Sequence, residues 1–216
     1  MKVIEVKNVS YQTNGKDLLQ HIDLTLKAGE KFAMLGANGS GKSTLIDIIT
    51  GDIRPTEGEV KFYGDKIGKH FSRLGVLYDD VLLFPKLKVK EILNYLGSYM
   101  DVKDWRDPSL MQLLRIEDIM NKEFAVLSSG ERKRVSLYVA MFGDPEILIL
   151  DEPTANLDPD IRSHFWTYIS QLEGVSVFFT THQWEEVKEF TQQVCFLKEG
   201  QMVMKPCAMA SLLEAY

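Results

Sequence analysis

The sequence predicts an α/β fold built on a parallel sheet, and two apolar runs and one helical segment carry that prediction. Residues 147–150 form a continuous apolar run, and residues 175–180 repeat its character. Runs of this kind are typical of strands that are buried on both faces of a parallel sheet. Between these strands and the N-terminal ones the apolar spacing becomes helical. Strands that alternate with helices indicate a parallel α/β core.

The other elements follow in chain order. Strands are predicted at residues 2–9, 21–27, 31–35, 58–63 and 74–78, with an apolar helix at 43–50. In the second strand Ile22, Leu24 and Leu26 alternate with polar residues, as in a half-buried strand. Helical patterns follow over 89–115 and 128–142, and another helix is predicted at residues 184–186. We expect one domain over 1–216, with about 86–140 as an inserted helical subdomain.

Composition excludes several classes of protein. The 216 residues carry a net charge of −6, whereas a nucleic-acid binder needs a large basic surface, so no nucleic-acid partner is expected. The two cysteines, Cys195 and Cys207, make no disulfide framework and have no metal-ligand spacing. No apolar run approaches the roughly 18 residues that span a bilayer. We therefore expect any work at a membrane to go through a partner.

Residues 36–43 match the phosphate-binding pattern G-x-x-x-x-G-K-[ST] at every fixed position, between a strand and a helix. Small residues let the backbone wrap around phosphates, and the helix N-terminus adds unpaired N–H groups. We expect Lys42 on the β- and γ-phosphates of a nucleotide and the Ser43 hydroxyl on Mg²⁺. The alternative is a plain glycine turn, which the complete match argues against. The predicted nucleotide-binding residues are Gly36, Asn38, Gly39, Ser40, Gly41, Lys42, Ser43 and Thr44.

Asp151 and Glu152 follow the apolar run 147–150 and complete such a site. Ligands of open α/β sheets bind at the carboxyl ends of the strands, where these two acids lie. Because side chains alternate along a strand, the two carboxylates point in different directions. Asp151 is therefore predicted to bind Mg²⁺, and Glu152 to be the general base that faces the attacking water.

A third motif carries a resemblance to one family of nucleotide-binding proteins. Residues 127–134, Leu-Ser-Ser-Gly-Glu-Arg-Lys-Arg, resemble the signature of ATP-binding cassette (ABC) proteins, usually Leu-Ser-Gly-Gly-Gln followed by basic residues. The order of the three motifs is similar to that of ABC proteins over nearly the whole chain. The resemblance implies a single ABC nucleotide-binding domain: a RecA-like P-loop NTPase core with an N-terminal antiparallel β-subdomain and the inserted helices. Ser128 and Gly130, at a predicted helix start, would then bind the γ-phosphate held by a second subunit.

The same resemblance implies further roles. Tyr11 is similar to the aromatic residue that stacks on adenine, although a half-exposed strand aromatic is the alternative. His182, after the strand 175–180, is similar to the switch histidine, with a core histidine as the alternative. Residues 155–158 are similar to the D-loop, and residues 74–80 to the Q-loop segment. The predicted catalytic residues are thus Lys42, Glu152 and His182.

Three positions depart from the family pattern. Ser129 and Glu131 stand in the signature where Gly and Gln are usual, and both suit a helix N-terminus. Asp79 stands where the Q-loop Gln is usual and adds negative charge near the γ-phosphate. We expect Mg²⁺ to lie between these anions, which makes Asp79 a predicted metal ligand beside Ser43 and Asp151. The alternative is that Asp79 turns away towards a partner. The neighbouring Leu82, Leu83, Phe84 and Leu87 are either core or a groove for a membrane subunit.

The resemblance implies an ATPase that uses ATP and Mg²⁺ and powers a transporter. Two head-to-tail subunits, identical or paralogous, would enclose two ATP molecules and act on a separate transmembrane permease from the cytoplasmic face. One alternative is a soluble ABC ATPase, although repair types need a long coiled-coil insertion and translation types usually carry two cassettes. The other is a non-hydrolysing switch, suggested only by Asp79.

Overall fold

The computed structural model describes residues 1–66, 68, 70–79, 84–102 and 104–208. In chain order its strands and helices are β1 (Lys2–Thr13), β2 (Lys16–Lys27), β3 (Lys31–Leu35), α1 (Lys42–Thr50), β4 (Glu57–Phe62), β5 (Leu74–Leu77), α2 (Val89–Tyr99), α3 (Pro108–Leu113), α4 (Ser129–Ala140), β6 (Ile147–Asp151), α5 (Pro159–Gln171), β7 (Ser176–Thr181), α6 (Trp184–Phe190), β8 (Gln193–Lys198) and β9 (Gln201–Ala208). The predicted α/β fold with a parallel sheet is confirmed.

The N-terminal strands form an antiparallel sheet in the order β2-β1-β4. β1 and β2 are longer than predicted and meet at a tight hairpin, because Asn14 and Gly15 both have positive φ, at 50° and 73°. Two consecutive residues of this conformation match the twist of the flanking strands. Within the hairpin Tyr11 lies opposite Leu19. This pairing brings Tyr11 to the side of the sheet that faces the phosphate-binding loop.

The main sheet has the order β5-β6-β7-β3-β8-β9. Its first five strands are parallel, and β9 returns antiparallel to β8. Every residue of β6 and β7 is buried, which explains why residues 147–150 and 177–179 are apolar without alternation. Because β6, β7 and β3 are neighbours, their carboxyl ends bring together the segments that follow them.

The two faces of the main sheet pack against different layers. Ile147 and Ile149 join a hydrophobic cluster with the antiparallel sheet and α1, and Leu148 and Leu150 join a second cluster on the opposite face. This division follows from the alternation of side chains along a strand. The segment about 86–140 contributes α2, α3 and α4 to the second cluster. Its standing as a separate subdomain stays a prediction.

Candidate functional site

The loop between β3 and α1 needs glycine at its two ends. A Cβ on Gly36 would lie 2.5 Å from the Leu197 carbonyl oxygen, and Gly41 has a φ of 108°. The Gly36 N–H donates to the Thr181 carbonyl at 3.2 Å, which ties this loop to the end of β7. Gly39 also has positive φ, at 78°. The loop is therefore held in a compact conformation that larger residues do not adopt.

Lys42 lies inside this loop rather than in solvent. Its ammonium donates to the carbonyl oxygens of Gly36 and Ala37, at 2.8 and 3.2 Å. It also forms an ion pair with Glu152 Oε1 at 3.1 Å. The ammonium thus already holds an anionic oxygen, and a phosphate oxygen fits the same place.

The polar atoms around Lys42 suit a phosphate chain. Ser40 Oγ is buried and has no hydrogen-bond partner among the residues that the structure describes. A buried hydroxyl without a partner is costly, and a bound oxyanion would supply its acceptor. Ser43 is exposed and Thr44 half-buried in the first turn of α1, and Asn38 is exposed on the loop. The residues present therefore fit a nucleotide with its Mg²⁺.

Asp151 and Glu152 point in different directions, as their order along the chain suggests. Asp151 ends β6, is buried, and accepts a short hydrogen bond from Thr180 Oγ1. Glu152 has a φ of 45°, in the left-handed region, and its N–H donates to the same Thr180 oxygen at 3.1 Å. The turn at Glu152 directs its carboxylate to Lys42 and to His182, whose Nδ1 lies 2.8 Å from Glu152 Oε2.

His182 stands directly after β7 and is not a core histidine. Its side chain is 48% exposed, and its described polar contact is the one with Glu152. The sheet order accounts for this meeting, because β6 and β7 are paired and both residues follow their last strand positions. The structure thus connects three residues that are far apart in the sequence: Lys42 contacts Glu152, and Glu152 contacts His182.

A buried group behind His182 was not predicted from the sequence. Glu186 accepts hydrogen bonds from Thr181 Oγ1, at 2.6 Å, and from Thr154 Oγ1. Thr181 precedes His182, and Thr154 follows Glu152 by two residues. The signal available in the sequence was only an acidic residue on the buried face of a short helix.

The signature segment begins α4. The Ser128 hydroxyl accepts from the Glu131 N–H at 3.2 Å, and the Glu131 carboxylate accepts from the Ser128 N–H at 2.8 Å, so the two residues form a capping box. The hydrogen bond from Lys122, with that from the Ser128 backbone, lowers the pKa of Glu131 to about 2. A Cβ on Gly130 would lie 2.5 Å from the Asn156 carbonyl oxygen. Signature and D-loop segments together line a cleft of about 200 Å³.

Asp79 has a partner that the sequence did not reveal. The carboxylate lies 3.3 Å from the ammonium of Lys133, on α4. The role of Asp79 as a metal ligand stays a prediction, as do those of Ser43 and Asp151. Of the apolar residues beside it, Phe84 is exposed and Leu87 packs against the core, while Leu82 and Leu83 lie outside the described residues.

Tyr11 is half-buried on β1. Its cross-strand neighbour Leu19 would lie 2.9 Å from a Cβ on Gly41, so the hairpin packs directly on the phosphate-binding loop. This placement fits an adenine platform and also an ordinary strand aromatic, so the role of Tyr11 remains a prediction.

Among the residues that the structure describes, no group of three or more His, Cys, Asp or Glu side chains is placed to hold a metal ion by itself. A Mg²⁺ that is bound with nucleotide needs only one or two carboxylates, because phosphates and water supply its other ligands. No helix in the described ranges is long and apolar enough to cross a membrane.

Comparison with known proteins agrees with this geometry. Residues 19–155 match the family model described as ABC transporter. The chain is 32% identical over 210 residues to the Nod factor export ATP-binding protein I of Rhizobium leguminosarum bv. viciae, covering 93% of this chain and 68% of that protein. A solved ATP-binding subunit of an ABC transporter superposes with a TM-score of 0.89 at 22% identity, over 99% of this chain and 92% of that one. The dimeric structure of a bacterial ABC transporter cassette gives 0.82 at 25% identity, over 95% and 98%.

Proposed function

This chain belongs to the ABC transporter family, and on that premise we propose that it is the subunit that binds and hydrolyses ATP to power a transporter. One observation carries the proposal: a single carboxylate, Glu152, lies 3.1 Å from the ammonium of Lys42 and 2.8 Å from His182. A carboxylate between a phosphate-binding cation and an imidazole is placed to act on a water beside the γ-phosphate.

Each residue of the site has a distinct task in this proposal. The loop N–H groups, Ser40 and Lys42 bind and orient the phosphates. When bound, Mg²⁺ would neutralise phosphate charge, and Ser43 and Asp151 would hold it. Glu152 takes the proton of the attacking water, and His182 holds the Glu152 carboxylate in place through Nδ1. Because ATP displaces Glu152 from Lys42, nucleotide binding also frees the base.

The working form is a head-to-tail dimer. Ser128 and the N–H of Gly130 lie at the N-terminus of α4, where backbone donors and the helix dipole favour an anion. In the dimer they bind the γ-phosphate held by Lys42 of the other copy, or of a paralogue. The similarity to a cassette solved as a dimer supports this arrangement.

Transport itself belongs to a separate transmembrane permease, and the chain would sit against it on the cytoplasmic face of the membrane. Family membership and the name of the export relative support this part of the proposal. Phe84 follows β5 in the chain and is exposed, so its side chain is a candidate contact for that partner. Co-purification with a polytopic membrane protein supports transport, whereas a purely soluble ATPase would purify without one.

The first test is Glu152→Gln, which keeps the shape of the side chain but removes the base. We expect ATP to bind with nearly unchanged affinity, turnover to fall by about 10²- to 10⁴-fold, and an ATP-bound dimer to accumulate. Phosphate release and size-exclusion chromatography with Mg·ATP measure these effects. Glu173→Gln, an exposed change of the same kind, is the matched control. Full turnover by the Glu152→Gln protein would remove Glu152 from its role.

A further inference from the structure

Asp79 stands at the end of an anchored segment. β5 ends at Leu77, and the next residue, Tyr78, donates a short hydrogen bond to Asp52 beyond the C-terminus of α1. Asp52 also accepts from Thr50 Oγ1 at 3.0 Å. The backbone before Asp79 is therefore held near the nucleotide-binding helix, and the placement of the Asp79 carboxylate depends on its own contacts.

The main contact of Asp79 is a buried cation. The Lys133 side chain is 6% exposed, while that of Asp79 is 60% exposed. The Lys133 ammonium reaches Asp79 Oδ1 at 3.3 Å and donates to the Asp151 carbonyl oxygen at 3.1 Å. Lys133 thus joins three segments: the segment after β5, which carries Asp79, the helix α4 that begins at the signature, and the end of β6.

The surroundings of Lys133 make this pair asymmetric. Burial lowers the pKa of Lys133, and the charges of Asp79, Asp151 and Glu152 act in the opposite direction. A buried ammonium without a counter-charge is costly, whereas an exposed carboxylate is readily solvated. Asp79 therefore stabilises the buried ammonium of Lys133 as its counter-charge. Lys133 in turn fixes the direction of the Asp79 carboxylate.

We propose that Lys133 is a positioning residue that holds and neutralises Asp79, so that the acidic residue after β5 is compatible with ATP without a metal ion between them. This inference rests on the proposed function and replaces Mg²⁺ by Lys133 as the compensating charge. Lys133 also gives α4 a direct connection to the end of β6, through its hydrogen bond to the Asp151 carbonyl oxygen.

A double-mutant cycle in ATP affinity tests the proposal. Without metal, in EDTA, Asp79→Gln is expected to change ATP affinity by less than about twofold, because Lys133 already neutralises Asp79. In a Lys133→Gln background the same change is expected to improve affinity by roughly tenfold, because the released carboxylate then repels the phosphates. Calorimetric titration of the four proteins measures both values. Lys61→Gln, which breaks an exposed pair with Glu59, controls for the loss of one positive charge.

Two outcomes overturn the proposal. An equal effect of Asp79→Gln in both backgrounds means that the residues act independently. A large improvement in the wild-type background that disappears with saturating Mg²⁺ means that the metal, and not Lys133, neutralises Asp79.

Urea unfolding without nucleotide provides a second measurement that does not depend on ATP binding. Asp79→Gln removes the counter-charge of a buried ammonium, so the double variant is expected to unfold at a higher urea concentration than the sum of the single changes predicts. If the effects of the two single changes on the free energy of unfolding were strictly additive, Lys133 and Asp79 would not interact. Failure of the wild-type protein to bind ATP would instead overturn the proposed function, and the unfolding cycle would still decide whether the pair exists.

Discussion

At the scale of single residues, Glu186 shows how a side chain outside every motif connects two segments of the site. It is buried on α6 and is the acceptor for two hydroxyls, those of Thr154 and Thr181. Thr181 Oγ1 in turn accepts from the Gln183 N–H at 3.0 Å. The residues on either side of His182 are therefore hydrogen-bonded to each other. Glu186 therefore links the residues after Glu152 to the residues around His182.

Glu186→Gln is expected to lower ATP turnover more than ATP affinity. An amide offers one acceptor oxygen in place of two, so the hydrogen of one buried hydroxyl loses its acceptor, at a cost of about 1–3 kcal/mol. The loosened turn then holds His182 less well against Glu152, while the loop around Lys42 is untouched. Steady-state phosphate release and calorimetric ATP titration separate the two effects. The neighbouring exposed Glu185→Gln is the control, and an equal loss in both variants would show that Glu186 has no such role.

At the scale of elements, the contact between α4 and β5 leaves no room for a side chain. A Cβ on Gly75 would overlap the carbonyl oxygen of Ala140, the last residue of α4, and would come within 2.7 Å of Leu148 Cδ2. This close approach places the end of β5, and hence Asp79, beside the helix that carries Lys133. The glycine is required by packing rather than by its φ.

Gly75→Ala is therefore expected to destabilise the protein by about 1–3 kcal/mol, because the obstacle is backbone and does not move aside. Gly68→Ala is a suitable control, since no atom of the described residues lies within 4 Å of its Cβ position. Urea unfolding of both variants measures the difference. If Gly75→Ala were as stable as Gly68→Ala, α4 and β5 would not be packed as described.

At the scale of the whole molecule, electrostatics sets the conditions for dimer formation. Each copy carries a net charge of −6, and ATP adds further negative charge at the proposed interface. Like-charged subunits repel one another, so local groups must supply the attraction. We propose the N-terminus of α4 as one such group, and the capping box of Ser128 and Glu131 keeps this helix end in place.

A pair of substitutions at Ser128 separates capping from phosphate binding. Asn and Asp both replace Ser well at an N-cap, but Asp adds a negative charge. In a Glu152→Gln background, Ser128→Asp is expected to weaken ATP-dependent dimer formation by at least about tenfold relative to Ser128→Asn, with similar ATP binding to the monomer. Light scattering with Mg·ATP compares the two proteins. Equal dimer formation would place the α4 N-terminus outside the interface.

Local patterns in the sequence were sufficient for much of this molecule. The phosphate-binding loop at 36–43 and the Ser-x-x-Glu start of α4 were readable because each pattern consists of adjacent residues, such as the glycines at 39 and 41 that have positive φ. The apolar runs of β6 and β7 revealed a parallel sheet because full burial removes alternation. In α5 the apolar residues Ile161, Phe165, Trp166 and Ile169 have helical spacing, yet this helix and strands β8 and β9 were not predicted.

The pairs that complete the site were decided by tertiary structure. Lys133 and Asp79 are 54 residues apart, and Glu186 and Thr154 are 32 apart. Neither pair has a sequence pattern, because an ion pair or a buried hydrogen bond requires only that two groups meet in space. The strand order β6-β7-β3 and the packing of α4 on β5 create those meetings. A motif can therefore be recognised from adjacent residues. Asp79 departs from the family pattern, and its partner Lys133 can be identified only in the folded chain.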